Sequence, residues 1–248
     1  MCKYFYADFY KDTFKTFSIS HWAALFVIFV VNIVMVVWLR KINNKKVNKI
    51  LCYVVSIVII LQEILRTVWY AAYGIFSFGT SLPLHLCGFA IILMPFMLIM
   101  KNKTVFEVLY FWGLAGATQA LLTPDLTYDF PHWVYFRYFF SHGLIIAGCI
   151  YMTFVEKYRP TWKSILKTFI ATNILMGFIA IVNVLTSGNY MFICWKPEQG
   201  SLIDYLGPWP WYILSLEGVG LVVFVLYYLP YFIKDMIQRI KGKKPETV

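Results

Sequence analysis

A chain of 248 residues that is 60% hydrophobic, 20% aromatic and only 14% charged carries more apolar surface than one water-soluble core can hide, so lipid is its solvent. Its formal net charge of +10 does not point to nucleic acid, because the basic residues fall in short clusters between apolar stretches rather than on one face or tail. Five scattered cysteines (Cys2, Cys52, Cys87, Cys149, Cys194) show neither paired metal-ligand spacing nor a secreted disulfide framework.

The segment Met1 to Ser20 is aromatic and of mixed charge, without the basic, apolar and small-residue regions of a cleavable signal. The first span is therefore expected to stay as an anchor. A crossing needs about 20 mostly apolar residues to traverse roughly 30 Å of hydrocarbon, and the sequence predicts such segments near 20–39, 48–73, 83–100, 104–123, 132–155, 162–186 and 209–233. The third is short, contains Pro83 and Pro95, and is separated from the fourth only by Lys101-Asn102-Lys103. If it is re-entrant, six spans result. The reading is an all-α, polytopic bundle of about seven transmembrane helices, forming one integral membrane domain over residues 1–248.

Lys and Arg alternate between the loops, and cytoplasmic loops accumulate them. The 40–49 loop holds Arg40, Lys41, Lys45, Lys46 and Lys49, the 101–103 turn two lysines, 156–167 Lys157, Arg159, Lys163 and Lys167, and the tail Lys234, Arg239, Lys241, Lys243 and Lys244. Loops 74–82 and 124–131 have none, and 187–208 has only Lys196. This predicts N-out/C-in topology in a bacterial plasma membrane. No repeat of two matching halves is visible, which argues against a secondary transporter.

Ionisable groups within spans are costly and mark function by default. With this topology Glu63 and Arg66 of the second span, with Gln62 beside them, share the outer half of the bilayer with His85 and Cys87 of the third, Gln119 of the fourth, Arg137, Ser141 and His142 of the fifth, Asn183 of the sixth and Glu217 of the seventh. Bland readings exist for most. Glu63 and Arg66 sit three residues apart and can pair locally, a lone histidine is usually a satisfied packing group, and Cys52 and Cys149 read as small apolar fillers. Cys87 and His142 stand apart because of the charged company at their level.

A thiol attacks as thiolate, and an imidazole can take its proton, so a Cys–His pair suffices for acyl transfer through a thioester. Cys87 follows Pro83 in the first turns of its span, where free N–H groups favour an anion. A zinc site from His85, Cys87 and His142 is the competing chemistry. Ser141 next to His142 is disfavoured as nucleophile because adjacent helical residues diverge. No phosphate loop or dinucleotide fingerprint occurs, so no cofactor is expected. The loops Leu121 to Leu126 and Leu206 to Tyr212 are rich in Pro and Trp and form either an aromatic belt or the rim of a lipid-accessible pocket.

Several strings together carry a likeness: Leu82-Pro83-Leu84-His85-Leu86-Cys87, Gln119-Ala120-Leu121-Leu122-Thr123-Pro124-Asp125, Arg137-Tyr138-Phe139-Phe140-Ser141-His142-Gly143, Asn189-Tyr190-Met191-Phe192 and Leu206-Gly207-Pro208-Trp209-Pro210-Trp211. They resemble the YwaF family of bacterial integral membrane proteins, related to eukaryotic transmembrane protein 164, over about residues 60 to 215. The resemblance implies a fold like that of the androgen-induced membrane hydrolases. It also implies a cysteine-dependent acyltransferase, with Cys87 and His142 as nucleophile and partner histidine and Cys87 in place of the hydrolases' threonine.

Expected substrates are a phospholipid or lysophospholipid, drawn from the surrounding membrane lipids and resolved by transfer or by hydrolysis. Arg137 or Arg66 would hold the lipid phosphate. Glu217, Glu63 or Gln119 would orient the histidine or stabilise the oxyanion, and His85 and Asn183 complete the candidate surroundings. The alternative is a non-catalytic lipid- or solute-binding membrane protein or transporter that uses the same polar layer as a cavity.

Overall fold

The computed structural model describes residues 2–7, 13–197 and 202–242. Lys243 and Lys244 of the predicted basic tail, and the side chain of Cys2, lie outside them. Seven helices longer than one turn succeed one another: α1 (Ile19–Ile42), α2 (Lys45–Ala72), α3 (Leu86–Met100), α4 (Lys103–Leu122), α5 (Trp133–Phe154), α6 (Trp162–Thr186) and α7 (Trp211–Ile240). Among the described residues there is no strand, only an isolated bridge between Thr13 and Tyr128.

Helices α1, α2, α4, α6 and α7 are long and apolar enough to cross a bilayer, which makes this a multi-pass membrane protein. Helix α3, with 15 residues, is apolar but shorter. Helix α5 spends part of its 22 residues on Arg137, Ser141 and His142. Proline 83 precedes α3 rather than lying inside it, and α7 runs to Ile240, past the predicted end at 233.

Short polar pairs make the tight turns. Asn43 ends α1 in the left-handed region (φ 45°), and Asn44 caps α2 by accepting from Lys46 N and Val47 N. Between α3 and α4, Lys101 (φ 52°) and Asn102, which accepts from Val105 N, repeat the device. Each pair supplies one left-handed residue and one side-chain acceptor for an open helix start. A Thr161–Ser164 capping box begins α6. Lys101 pairs with Glu156 at 2.9 Å and Arg159 with Asp235 at 2.6 Å, fastening the basic ends of the helices to one another.

The core lies between α3, α4 and α5. Met94, Met97, Phe106, Leu109, Phe111, Cys149 and Met152 are all fully enclosed there. Close approach depends on small residues: a Cβ on Gly148 would stand 2.3 Å from Met94 Sδ. Cys52 and Cys149 fill the packed interior, as expected. By contrast α1 and α7 turn long apolar faces outward, among them Phe26, Val34, Val222 and Leu226, as helices facing lipid do.

Within α4 the segment Trp112–Gly116 is a π-turn. Such a turn admits one extra residue into the helical ladder and re-aims the remainder of the helix. It lies against the start of α3, where the candidate nucleophile sits.

Candidate functional site

The loop between α2 and α3 is held from three sides. Arg66 Nη1 donates to the Ser81 carbonyl at 2.8 Å. The Tyr190 hydroxyl accepts from Leu82 N at 2.9 Å and donates to the Phe78 carbonyl at 2.8 Å. Asn183 fixes Tyr190 in turn, accepting from its N–H at 2.8 Å and donating to its carbonyl at 3.0 Å. At the helix start a Cβ on Gly88 would lie 2.4 Å from the Pro83 carbonyl oxygen, so only glycine lets the loop fold back over the first turn of α3.

This clamped loop sets His85 as N-cap residue and Cys87 as second residue of α3. The first-turn N–H groups have no intrahelical partner, and the helix dipole is positive there, so negative charge is favoured at this spot. Cys87 is half-buried. A Cβ on Gly116 of the π-turn would stand 3.5 Å from its sulfur, which places the thiol against α4.

The four histidines separate by what their ring nitrogens do. In His21, Nδ1 accepts from Phe17 N at 2.8 Å and Nε2 donates to the Leu121 carbonyl at 2.7 Å. In His132, Nδ1 accepts from Val134 N at 3.1 Å and Nε2 donates to the Tyr6 carbonyl at 3.2 Å. Both rings are fully used in holding chain segments together. Burial lowers the pKa of His132, against the opposing pull of its bond to the Tyr6 backbone, so it is held neutral.

His142 and His85 are each left with one uncommitted nitrogen among the described residues. The His142 Nδ1 faces the Tyr138 carbonyl at 2.8 Å. A carbonyl only accepts, so Nδ1 carries the proton and Nε2 keeps its lone pair, the tautomer of a base. The His85 Nδ1 accepts from Met191 N at 3.4 Å, which leaves Nε2–H as a donor. His85 is wedged between the rings of Tyr190 and Phe192, with centroids at 5.5 and 5.1 Å. The two imidazoles thus have opposite hydrogen-bonding sense, and His85 caps the start of α3.

Tyr138 connects the two halves of the site. Its ring lies on that of His142 with centroids 4.3 Å apart, its hydroxyl donates to the Ala120 carbonyl at 2.9 Å, and it interacts electrostatically with both Cys87 and Arg137. Arg137 senses Tyr70, Arg66 and Glu63. Glu63 is already taken, by Arg66 Nε at 2.9 Å and Gln62 Nε2 at 2.8 Å. Two guanidinium groups therefore share one carboxylate, and Arg137 makes no ion pair or hydrogen bond with any described residue. The excess is positive and suits an anionic group.

Of the residues singled out in the sequence, the structure gathers Glu63, Arg66, His85, Cys87, Arg137 and His142 around this region. Asn183 reaches it only through Tyr190. Gln119 is exposed and spends its amide on Thr123 Oγ1 at 2.8 Å. Glu217 is half-buried on α7 and hydrogen-bonds to no described residue. Among the described residues no three His, Cys, Asp or Glu side chains assemble as a metal-ligand set, so His85, Cys87 and His142 do not form a zinc constellation. Sequence reasoning did not single out Tyr138, Tyr190, Gly88 or the π-turn. Tyr138 stands four residues before His142, the spacing that puts two rings on one helix face, and that signal was available.

The TMEM164 family model matches residues 16–228. An uncharacterized protein of Treponema pallidum (strain Nichols) is similar, at 26% identity over 157 residues that cover 62% of this chain and 64% of that relative. The matched stretch is thus just under two thirds of the relative's length. No solved structure matches.

Proposed function

The chain belongs to the TMEM164 family, and on that premise we propose that it is an intramembrane lipid acyltransferase or lipid hydrolase acting through a Cys87–His142 thioester mechanism. The observation that carries the reading is the tautomer of His142. Its Nδ1 proton is committed to the Tyr138 carbonyl, so Nε2 is left as an acceptor, on the helix that lies against Cys87's own.

In the first half-reaction His142 Nε2 takes the Cys87 thiol proton, and the thiolate attacks an ester carbonyl of a phospholipid. The C–O bond to the glycerol oxygen breaks, His142 returns the proton to that oxygen, and a lysolipid leaves. In the second half-reaction a lysolipid hydroxyl, or water, gives its proton to His142 and attacks the thioester, and Cys87 leaves as the thiol. The oxyanion of each tetrahedral state is met by the free N–H groups of the first turn of α3 and by His85 Nε2–H. Arg137 holds the phosphate, with its charge unspent on Glu63. Asn183 and Tyr190 position the loop, and no part is assigned to Glu217 or Gln119.

The site lies on the side of the membrane that holds the N-terminus. The positive-inside distribution supports that side as extracytoplasmic, and the bacterial relative supports a bacterial plasma membrane. The test is covalent. Full-length protein incubated with phospholipid vesicles and quenched in acid is expected to carry an acyl group on the Cys87 peptide, labile to hydroxylamine. The adduct should be absent in Cys87→Ala and reduced at least about 100-fold in His142→Ala. Undiminished lipid turnover in both variants would refute the mechanism. Tight lipid binding with no adduct in the wild-type protein would favour the non-catalytic alternative.

A further inference from the structure

The site just described lies on one face of α5. Ile145 and Cys149 press on Gly113 of α4, and His142 shares their face of α5 by helical spacing. At about 100° per residue, Phe136, Phe140, Gly143 and Ala147 fall on the opposite side of the same helix. There, between α1 and α5, runs a groove with a volume of about 640 Å³. Its wall on α1 is formed at helical spacing by Ser20, Ala23, Val27 and Val31. The two helices approach closely, since a Cβ on Gly143 would meet Ile28 Cγ1 at 3.3 Å.

Three properties define what fits. The lining is almost wholly apolar, and in hydrocarbon such a groove is filled by a chain rather than by water. From Ser20 to Asn32 the groove extends about 18 Å along α1, slightly more than half of a hydrocarbon core of about 30 Å. That length matches one leaflet. Its lining comes from α1, α5 and Phe130 alone, so the groove is a cleft between two helices.

Beside the end of the groove at the N-terminus of α1 stands the carboxylate of Asp129, bonded to the lining residues Ser20 and Phe130 without itself lining the groove. Ser20 Oγ donates to Asp129 Oδ1 at 2.7 Å, and Phe130 N donates to the same oxygen at 2.7 Å. The Tyr135 hydroxyl fixes the Ser20 carbonyl at 2.6 Å, so this corner is built rather than loose. Asp129 is half-buried, its Oδ2 takes no hydrogen bond, and it forms no ion pair with any described residue. Arg66 and Arg137 are placed with the Cys87 site, so the two mouths on this side of the membrane differ in charge.

We propose that the α1–α5 groove is a second lipid site, separate from the Cys87 site, that seats one acyl chain of a phospholipid whose primary ammonium headgroup is held by Asp129. The chain lies along α1 as far as Asn32, and the ammonium donates to the open carboxylate oxygen. The site does not depend on the acyl-transfer reading, because no residue of that mechanism lines it.

The test uses the full-length protein in vesicles containing a trace of photoactivatable phospholipid with a diazirine near the chain end. Ethanolamine and glycerol headgroups are compared on identical chains. Labelling is expected on peptides spanning residues 27–32 and 143–147, at least fivefold stronger for the ethanolamine lipid. Asp129→Asn should abolish that headgroup preference while retaining the label, and Ala147→Phe should remove label from both peptides for both lipids. Cys87→Ala should change neither, and this separates failure of the lipid site from failure of the proposed chemistry. Equal labelling by the two headgroups, or a preference that persists in Asp129→Asn, would overturn the headgroup assignment. Undiminished labelling in Ala147→Phe would overturn the groove itself.

Discussion

Replacing Tyr190 with phenylalanine removes one oxygen and nothing else, yet that oxygen ties the α6–α7 connection to the loop that presents Cys87 through two hydrogen bonds. It accepts from Leu82 N at 2.9 Å and donates to the Phe78 carbonyl at 2.8 Å, on a ring with no exposed surface. A net hydrogen bond contributes about 0.5–1.5 kcal/mol, and a buried group left unpaired costs about 1–3 kcal/mol. Phe78 is exposed and its carbonyl can recover a partner in the headgroup region, so most of the loss falls on Leu82 N–H. The expected destabilisation is about 1–2 kcal/mol, concentrated in the loop. Two measurements read it. Thermal unfolding in detergent should shift by a few degrees, and the rate of maleimide reaction at Cys87 should rise several-fold in Tyr190→Phe as the loop opens more often. Asn183→Leu, which frees the Tyr190 backbone from both of its bonds, should act in the same direction. If Cys87 reactivity and unfolding temperature are both unchanged in Tyr190→Phe, the loop is held by something else and the reasoning fails.

Two further outcomes concern Asn32 and His132. Asn32 is buried in the middle of α1, where its amide donates to the Ile28 carbonyl at 2.8 Å while Oδ1 has no partner among the described residues. Asn32→Leu should therefore be neutral or stabilising by about 1 kcal/mol in a denaturation series, and a loss of more than that would show a partner for Oδ1. His132 has a folded pKa below its ordinary 6.5, caused by burial and only partly opposed by the Tyr6 carbonyl. The stability it contributes is thus fully present above about pH 6.5 and is lost as the pH falls through the lowered value, when a second proton also removes the acceptor that caps α5. Unfolding temperature should fall on acidification through that window, and less so in His132→Asn, which keeps a capping oxygen but does not titrate. Identical pH profiles would refute it.

Much of the fold was legible because hydropathy and the clustering of Lys and Arg are properties of the chain itself. Asn43-Asn44 and Lys101-Asn102 could be read as turns for the same reason, since each residue satisfies a local backbone need. The candidate site was half legible. Cys87 and His142 stood out as costly groups in apolar segments, but Tyr138 and Tyr190 hid among 18 tyrosines. Their importance lies in carbonyls and N–H groups contributed by distant segments, which no local pattern encodes. The π-turn was likewise invisible, because the two glycines of Trp112–Gly116 weaken a helix without specifying an extra residue in its ladder. Which histidine nitrogens are free is also a tertiary fact. His21 has both nitrogens taken, by Phe17 N and the Leu121 carbonyl, whereas His142 has only Nδ1 taken, by the Tyr138 carbonyl. The two helices that fall short as spans, α3 and α5, are the ones that carry Cys87 and His142.

The shortness of α3 bears on the loop before it. Its 15 residues rise about 22 Å, roughly 8 Å less than the hydrocarbon is thick. The rest of a crossing would fall to the non-helical backbone before it, where Phe78 is exposed but residues 81–85 are not, and backbone in hydrocarbon keeps its polar groups only by pairing them inside the protein. Arg66, Ser81 and Tyr190 are those partners, so the segment acts as a plug with a polar interior and not as a surface connection. Cys87 stands at the foot of this segment, in the first turn of α3.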